Sequence, residues 1–400
     1  SKGQYFLEIV YSGSYRNDGH GLYKFNELGV DYLATQFQAM KARTVFPSFD
    51  EPKFKIPFQF NITSPIGLQV LAGAPINRII EKDKTSTHIF EQTAPINTDI
   101  LAFSVGLFDQ IEISGLAIPS SIYVTKGKSN RTLAMKEAIP QLFHHVQSYF
   151  ISDFPYQKLD FLVLPHYDGA GMENVGLITL NENLVLSTAN QPKENLYELY
   201  KLLAHEIAHM WFGNLVTMRW WDDLWLNESF ADWLARKIVL ANFAEIKGVL
   251  KLPQLDAFWD DGPQNPAIKR KMISVADYDA VGQIVYTKGH ALIAMVESYV
   301  GEEKFRKAII AYIKKFSGGN VSYTEFIEHI ERYTETSLKG IFKSFLTQSG
   351  YPLVTLKVKN EQLEVSQHPF VQDGIVAPLF WHVPLQLKFL TPNGVQTTSI

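Results

Sequence analysis

The chain has 400 residues, of which 46% are hydrophobic and 20% charged, with a formal net charge of −4 and no cysteine. That length exceeds one ordinary core and implies two or three domains, and the composition is that of a folded chain. The acidic balance offers no basic field for nucleic acid, the lack of cysteine excludes disulfides, thiol nucleophiles and thiolate metal sites, and no apolar run reaches the roughly 18 residues of a membrane span.

Residues 1–110 read as β structure, with strands expected at YFLEIVYSG, FKIPFQFNITSP, QVLAGAP, THIFEQT and ILAFSVGLF. These runs are rich in β-branched and aromatic residues and are punctuated by Gly, Pro, Asn and Asp. GLYKF and TQFQAMKARTVFPSFDEP (35–52) read as non-strand interruptions, the second a polar loop with salt bridges. From about 111, SSIYVT, LDFLVLP and GLITL read as strands. A helix between the first two carries apolar residues at 133, 138, 142, 143, 146, 149 and 150. Helices are then expected at 193–213, 224–242, 282–299, 302–316, 322–333 and 336–348. From 349 the alternation of a small β module returns, with a turn at Asn360-Glu361. The fold class is α+β multidomain, with an N-terminal β domain over 1–110, a catalytic domain over 111–348 and the start of a β-sandwich over 349–400. The N-terminus shows no signal-peptide layout, and both ends read as cut from something longer. Composition alone does not fix the compartment, the oligomeric state or the organism; a soluble, cytoplasmic protein is the expectation.

The chemistry concentrates in HEIAHMWFGNLVTMRWWDDLWLNE, residues 205–228. His205 and His209 lie four apart, so on a helix both imidazoles leave one face and can bind one ion. Glu228, after 18 intervening residues, can return as a third ligand. A His₂Glu set with an open fourth position is a catalytic rather than a structural zinc arrangement. Glu206 is then placed to take a proton from the attacking water. The bland alternative is two histidines on the polar face of an ordinary helix, and eleven histidines in 400 residues make a chance match rare. Asp232, four residues after Glu228, is a candidate to orient a zinc histidine. A hydrolytic site also needs an oxyanion donor, but 18 tyrosines leave that choice open.

Together with an upstream GAGMEN stretch, the HEIAH–18 residues–Glu pattern resembles the aminopeptidase N-like zinc metallopeptidases of the gluzincin clan. GLYKF, TQFQAMKARTVFPSFDEPKFK, FPYQKLD, GAGMENVGLIT, VYTKG and TQSGYPLV follow the same family order. The resemblance implies a thermolysin-like catalytic domain holding one Zn²⁺ per chain through His205, His209 and Glu228, with Glu206 as base. It implies that Glu173 and Gln38 grip the substrate's free α-amino group and that Tyr286 stabilises the tetrahedral intermediate. Ala170, Gly171, Met172 and Asn174 complete the exopeptidase motif along the substrate main chain. The partners it implies are peptides with a free N-terminus.

Three positions depart from the family pattern. Ala170-Gly171-Met172 stands where Gly-Ala-Met or Gly-Gly-Met is usual, Val175 where an aromatic is frequent, and Ser48 where FPCFDEP has cysteine. Ala170 is compatible with the motif if its φ is negative, and Val175 bears on the first side-chain pocket. His166 and Asp168 read as an ordinary loop rather than a second metal site, Lys269-Arg270-Lys271 as a solvated loop, Lys288 as structural, and most tryptophans near the HExxH motif as core. Two rivals stand beside the aminopeptidase: an epoxide hydrolase on the same frame, which no residue demands, and a non-catalytic scaffold, which would normally have lost ligands or base.

Overall fold

A computed structural model describes all residues except 1–2, 4, 188–190, 250–254, 256, 259–260, 262–266, 361, 371–378, 392–393 and 400. Two compact units divide the chain: residues 1–144 with 154–210, and residues 145–153 with 211–400.

The first unit is mainly β. Strands β1 (Gly21–Glu27) and β2 (Val30–Gln36) form a hairpin around Leu28-Gly29, both with positive φ. Positive φ at both central residues suits the right-handed twist of the flanking strands. β3 (Asn61–Pro65), β4 (Gln69–Ala72), β5 (Ile76–Lys82), β6 (Thr85–Phe90) and β7 (Phe103–Gly106) follow, giving a four-stranded sheet ordered β1-β2-β7-β4 and a three-stranded sheet ordered β3-β6-β5. β8 (Phe108–Glu112), β9 (Ser121–Thr125), β10 (Asp160–Leu164), β11 (Gly171–Met172) and β12 (Leu177–Asn181) make a five-stranded sheet ordered β11-β12-β10-β9-β8. β10 runs parallel to both β9 and β12, and all five of its residues are buried. This is why it reads as a continuous apolar run rather than an alternating one. β11 is an edge strand, antiparallel to β12. Helices α1 (Leu133–Phe150), α2 (Glu182–Val185) and α3 (Lys193–Ala208) punctuate and follow this sheet. One core cluster joins Phe37, Ile100, Tyr167, Met172 and Val175, so the first segment of the chain and the GMEN loop share an interior.

The second unit is mainly helical: α4 (Trp225–Asn242), α5 (Val275–Asp279), α6 (Ile284–Val300), α7 (Glu302–Phe316), α8 (Tyr323–Thr334) and α9 (Lys339–Thr347). Short strands β13 (Thr217–Met218) and β14 (Asn320–Val321) pair in parallel. α8 opens with a capping box in which Ser322 accepts from Glu325 N and Glu325 accepts from Ser322 N, satisfying two donors that a helix start leaves open. Trp211, Trp221, Trp225 and Trp233 are buried, the last against Phe230 and Phe305. β15 (Pro352–Lys359) pairs with β16 (Gln362–Pro369), and β17 (Gln386–Thr391) with β18 (Gly394–Ser399).

Several elements differ from the sequence reading. GLYKF is strand β1, because its pairing with β2 carries Tyr23 into the core. Residues 5–13 form no strand; Phe6, Leu7 and Val10 stay exposed, without the cross-strand packing that makes such residues β formers. FKIPFQFNITSP yields only β3, its first half held by the Ile56–Ile96 bridge. The exposed strand β5 and the short α2 and α5 carry no apolar periodicity to announce them. The helix expected to reach 213 ends at Ala208, and the chain turns through Gly213 at φ 114°. The turn expected at 360–361 has Asn360 at φ 50°, while Glu361 lies outside the described residues.

Candidate active site

In the first unit, α3 carries the apolar residues Tyr197, Tyr200, Leu203, Ala204, Ile207 and Ala208 inward and brings His205 and Glu206 to its last turn. His205 and His209 are buried, their Nε2 atoms 2.9 Å apart and their ring planes crossed at 83°. Two imidazole nitrogens facing each other at that distance fit one shared cation, and an all-nitrogen pair extended by carboxylate suits zinc. Glu173, Glu206 and His209 each present a ligand-type atom within 4.8 Å of one another, all three buried. Gln38 Nε2 stands 3.5 Å from Glu173 Oε1.

The loop before β12 is fixed by its neighbours. Asn181 N donates to Ala170 O at 3.0 Å, and Asn181 Nδ2 donates to Tyr167 O at 2.8 Å and Gly169 O at 3.1 Å. Asn174 Nδ2 donates to Thr179 Oγ1 at 3.1 Å, and Val175 N to Ile100 O at 3.0 Å. A Cβ added at Gly171 would stand 2.6 Å from Glu206 Cδ and closer still to its Oε1. Only glycine lets the backbone run this close to the carboxylate. Ala170 is exposed and is not among the residues with positive φ, so it meets the condition that its departure from the motif imposed.

Burial governs the electrostatics here. It pushes the Tyr167 phenol well above its ordinary range, with Tyr23, Glu206 and Glu173 adding to the effect. Gln36 Nε2 donates to that phenol. Burial also pushes the Asp99 carboxyl up to about 7, against the lowering bond from Asn97 and with the charges of Glu173 and Asp50 raising it further. Lys55, whose ammonium feels Asp99, is lowered by burial to about 8. The 35–52 segment holds the kind of salt bridge its sequence suggested, Arg43 with Asp50 at 3.3 Å. Asp50, buried, accepts from Arg43 N at 3.0 Å and from Thr98 Oγ1 at 2.6 Å, while Gln38 turns toward Glu173.

In the second unit, Glu228 sits buried in the first turn of α4, where the positive end of the helix dipole favours its charge. Tyr286, half-buried, lies in the first turn of α6. Asp232 Oδ2 pairs with His290 Nδ1 at 2.8 Å, a partner the sequence did not indicate. Lys288 is structural. Its Nζ pairs with Asp261 at 2.8 Å and donates to Gln348 O and Gly350 O at 2.9 Å each, tying the VYTKG and TQSGYP motifs together. Lys269-Arg270-Lys271 is more anchored than a solvated loop, with Lys269 bonded to Asp223 and Arg270 Nη2 donating to Asp277 O at 3.0 Å. His166 is exposed, 3.9 Å from Glu27. Sequence reasoning missed Asn181, Asp99 and His290; the one local signal was the asparagine closing the GLITLN strand.

A buried HExxH histidine pair beside a glycine loop and a second glutamate defines an HExxH metallopeptidase class. A model of the Peptidase family M1 domain matches residues 134–345, and one of the Peptidase M1 N-terminal domain matches residues 1–99. Aminopeptidase M1-B of Oryza sativa subsp. japonica is 32% identical over 396 residues, covering 96% of this chain and 45% of the relative. Leucyl aminopeptidase of Saccharolobus solfataricus is 31% identical, covering 95% and 49%. Probable aminopeptidase 1 of Sulfurisphaera tokodaii is 30% identical, covering 98% and 50%. The chain thus spans about half the length of the relatives it matches. It belongs to peptidase family M1, with the aminopeptidase N-like metallopeptidases.

Proposed function

We propose that the protein is a zinc aminopeptidase that removes the N-terminal residue of peptides. The observation that carries this reading is the closeness of Glu173, Glu206 and His209, with Gln38 beside Glu173. A carboxylate fixed so near the base measures from a charged N-terminus and leaves room for about one residue. We assign the catalytic domain to 111–348, between a β domain and a β module.

His205 and His209 would hold the metal, with Glu228 as third ligand on the strength of the motif spacing. When bound, zinc supplies Lewis acidity, polarising the scissile carbonyl and making water easier to deprotonate. Glu173 and Gln38 bind the α-ammonium ion, the first as counter-charge and the second as acceptor. The edge strand at Gly171-Met172 offers its backbone to the substrate main chain, as an extended peptide adds to a sheet edge. Glu206 removes a proton from water as it attacks and delivers it to the departing amine. Tyr286 donates its phenolic hydrogen to the developing oxyanion. Asn174 and Met172, both buried, hold the loop in the shape that keeps Glu173 in place.

A panel of aminoacyl anilides, leucyl among them, tests the reading. Turnover that stops with chelator and returns with zinc supports it. Turnover indifferent to chelator contradicts it.

A further inference from the structure

Resting on the reading of Tyr286 as oxyanion donor, we propose that Asp232 and His290 form a positioning pair that sets the Tyr286 phenol relative to Glu228. Glu228 and Asp232 are one turn apart on α4; Tyr286 and His290 are one turn apart on α6. Residues four apart share a helix face, so the pair joins the two helices one turn beyond the two functional side chains.

The helices already touch beside those side chains. Ser229 Oγ, next to Glu228, donates to the carbonyl of Val285, next to Tyr286, at 2.6 Å. A Cβ on Gly289 would come within 2.8 Å of Ser229 Cβ and closer to its Oγ, so the axes approach as closely as small residues permit. Farther along the same two helices Trp233 Nε1 and Lys237 Nζ donate to Glu297 at 3.2 and 2.9 Å, so the far ends are tied as well. The His290 Nδ1–Asp232 Oδ2 bond at 2.8 Å is the buried polar tie one turn from Glu228 and Tyr286. Both side chains are buried, His290 3% and Asp232 6% exposed. Leu292, Ile293 and Val296 already give α6 an apolar buried face, and an apolar pair would serve packing alone at least as well. A buried polar pair instead specifies one arrangement, and misplacement by about 1 Å can cost on the order of 10²-fold in rate.

The experiment is a double-mutant cycle between His290→Gln and Tyr286→Phe, with His290→Asn as the conservative variant. Asn places an amide nitrogen near the Nδ1 position, while Gln does not. kcat and KM for a leucyl anilide, bound zinc and the thermal midpoint are measured for each. His290→Gln should lower kcat by about 10- to 100-fold with KM within about threefold and one zinc retained, and His290→Asn should stay within about threefold of the parent. In the Tyr286→Phe background His290→Gln should cost almost nothing further, because its effect runs through the phenol. Equal losses in Gln and Asn, or a loss undiminished in the Phe background, would overturn the positioning role. A harmless Tyr286→Phe sinks the oxyanion reading itself; a crippling Tyr286→Phe with a silent His290→Gln sinks only the pair's role. Asp232→Ala removes the acceptor without adding volume and runs the same cycle if His290→Gln does not fold.

Discussion

Gly171 and Glu206 are packed so that any side chain at 171 would enter the space of the Glu206 carboxylate. The backbone of β11 therefore lies against the proposed base, and this contact brings the proposed substrate-binding edge beside it. Gly171→Ala should lower kcat by about 10²-fold, with the far-ultraviolet circular dichroism spectrum unchanged, since an edge strand of two residues adds little to the sheet. A fully active Gly171→Ala variant would show that the carboxylate can move aside without penalty.

Glu206→Gln keeps shape and removes basicity. On this mechanism kcat falls by about 10²- to 10⁴-fold while metal analysis still finds one zinc per chain. Loss of zinc in this variant would make Glu206 a ligand rather than the base.

On the proposed reading, Glu173→Ala removes the counter-charge for the α-ammonium ion. A charge-assisted hydrogen bond is worth roughly 1.5–3 kcal/mol, so kcat/KM for free-amine substrates should drop by roughly 10- to 100-fold, chiefly through KM. Steady-state kinetics on a leucyl anilide would read it, and an unchanged KM would remove Glu173 from substrate binding.

Asp99 gives the stability a pH dependence of known sign. Its folded carboxyl is raised to about 7 by burial, above the ordinary value near 4 of the unfolded chain. The folded state therefore holds its proton more tightly. This group's stabilising contribution is complete below about pH 4 and is lost as pH rises through about 7. Lys55, Glu173 and Asp50 face the same interior and are unchanged by the substitution. Asp99→Asn should raise the thermal midpoint at pH 8 relative to the parent, by on the order of 1–4 kcal/mol of stability, and leave it nearly unchanged at pH 4. Equal midpoints at pH 8 would mean that Asp99 stays charged at no cost.

Much of this was legible in the sequence because it is periodic. The buried face of α3 and the amphipathic helices α7 and α8 repeat an apolar pattern that their packing then uses, while β10 was legible as a short unbroken apolar run. The β1–β2 hairpin was missed because its turn is Leu28-Gly29, with a leucine at positive φ where Asn or Asp would have announced it. The strand expected at 5–13 has β-forming residues but no pairing, and pairing is a long-range property that local composition does not carry. At the site, the HExxH spacing identified the histidine pair, since four residues on a helix fix a face. Asp232 was read as the orienter of a zinc histidine, whereas the bond it makes is to His290, which lies 58 residues away on another helix where no local pattern announces it. Asp99 was invisible for the same reason: its altered acidity comes from burial, which only the folded chain possesses.

The central claim is that the enzyme counts from a free N-terminus. It is tested most directly by incubating the purified protein with two peptides that differ only in N-terminal acetylation and following release of the first residue by mass spectrometry. The free peptide should be shortened one residue at a time, and the acetylated one should remain intact. Cleavage of the acetylated peptide at a comparable rate, or internal cleavage of either, would contradict the account.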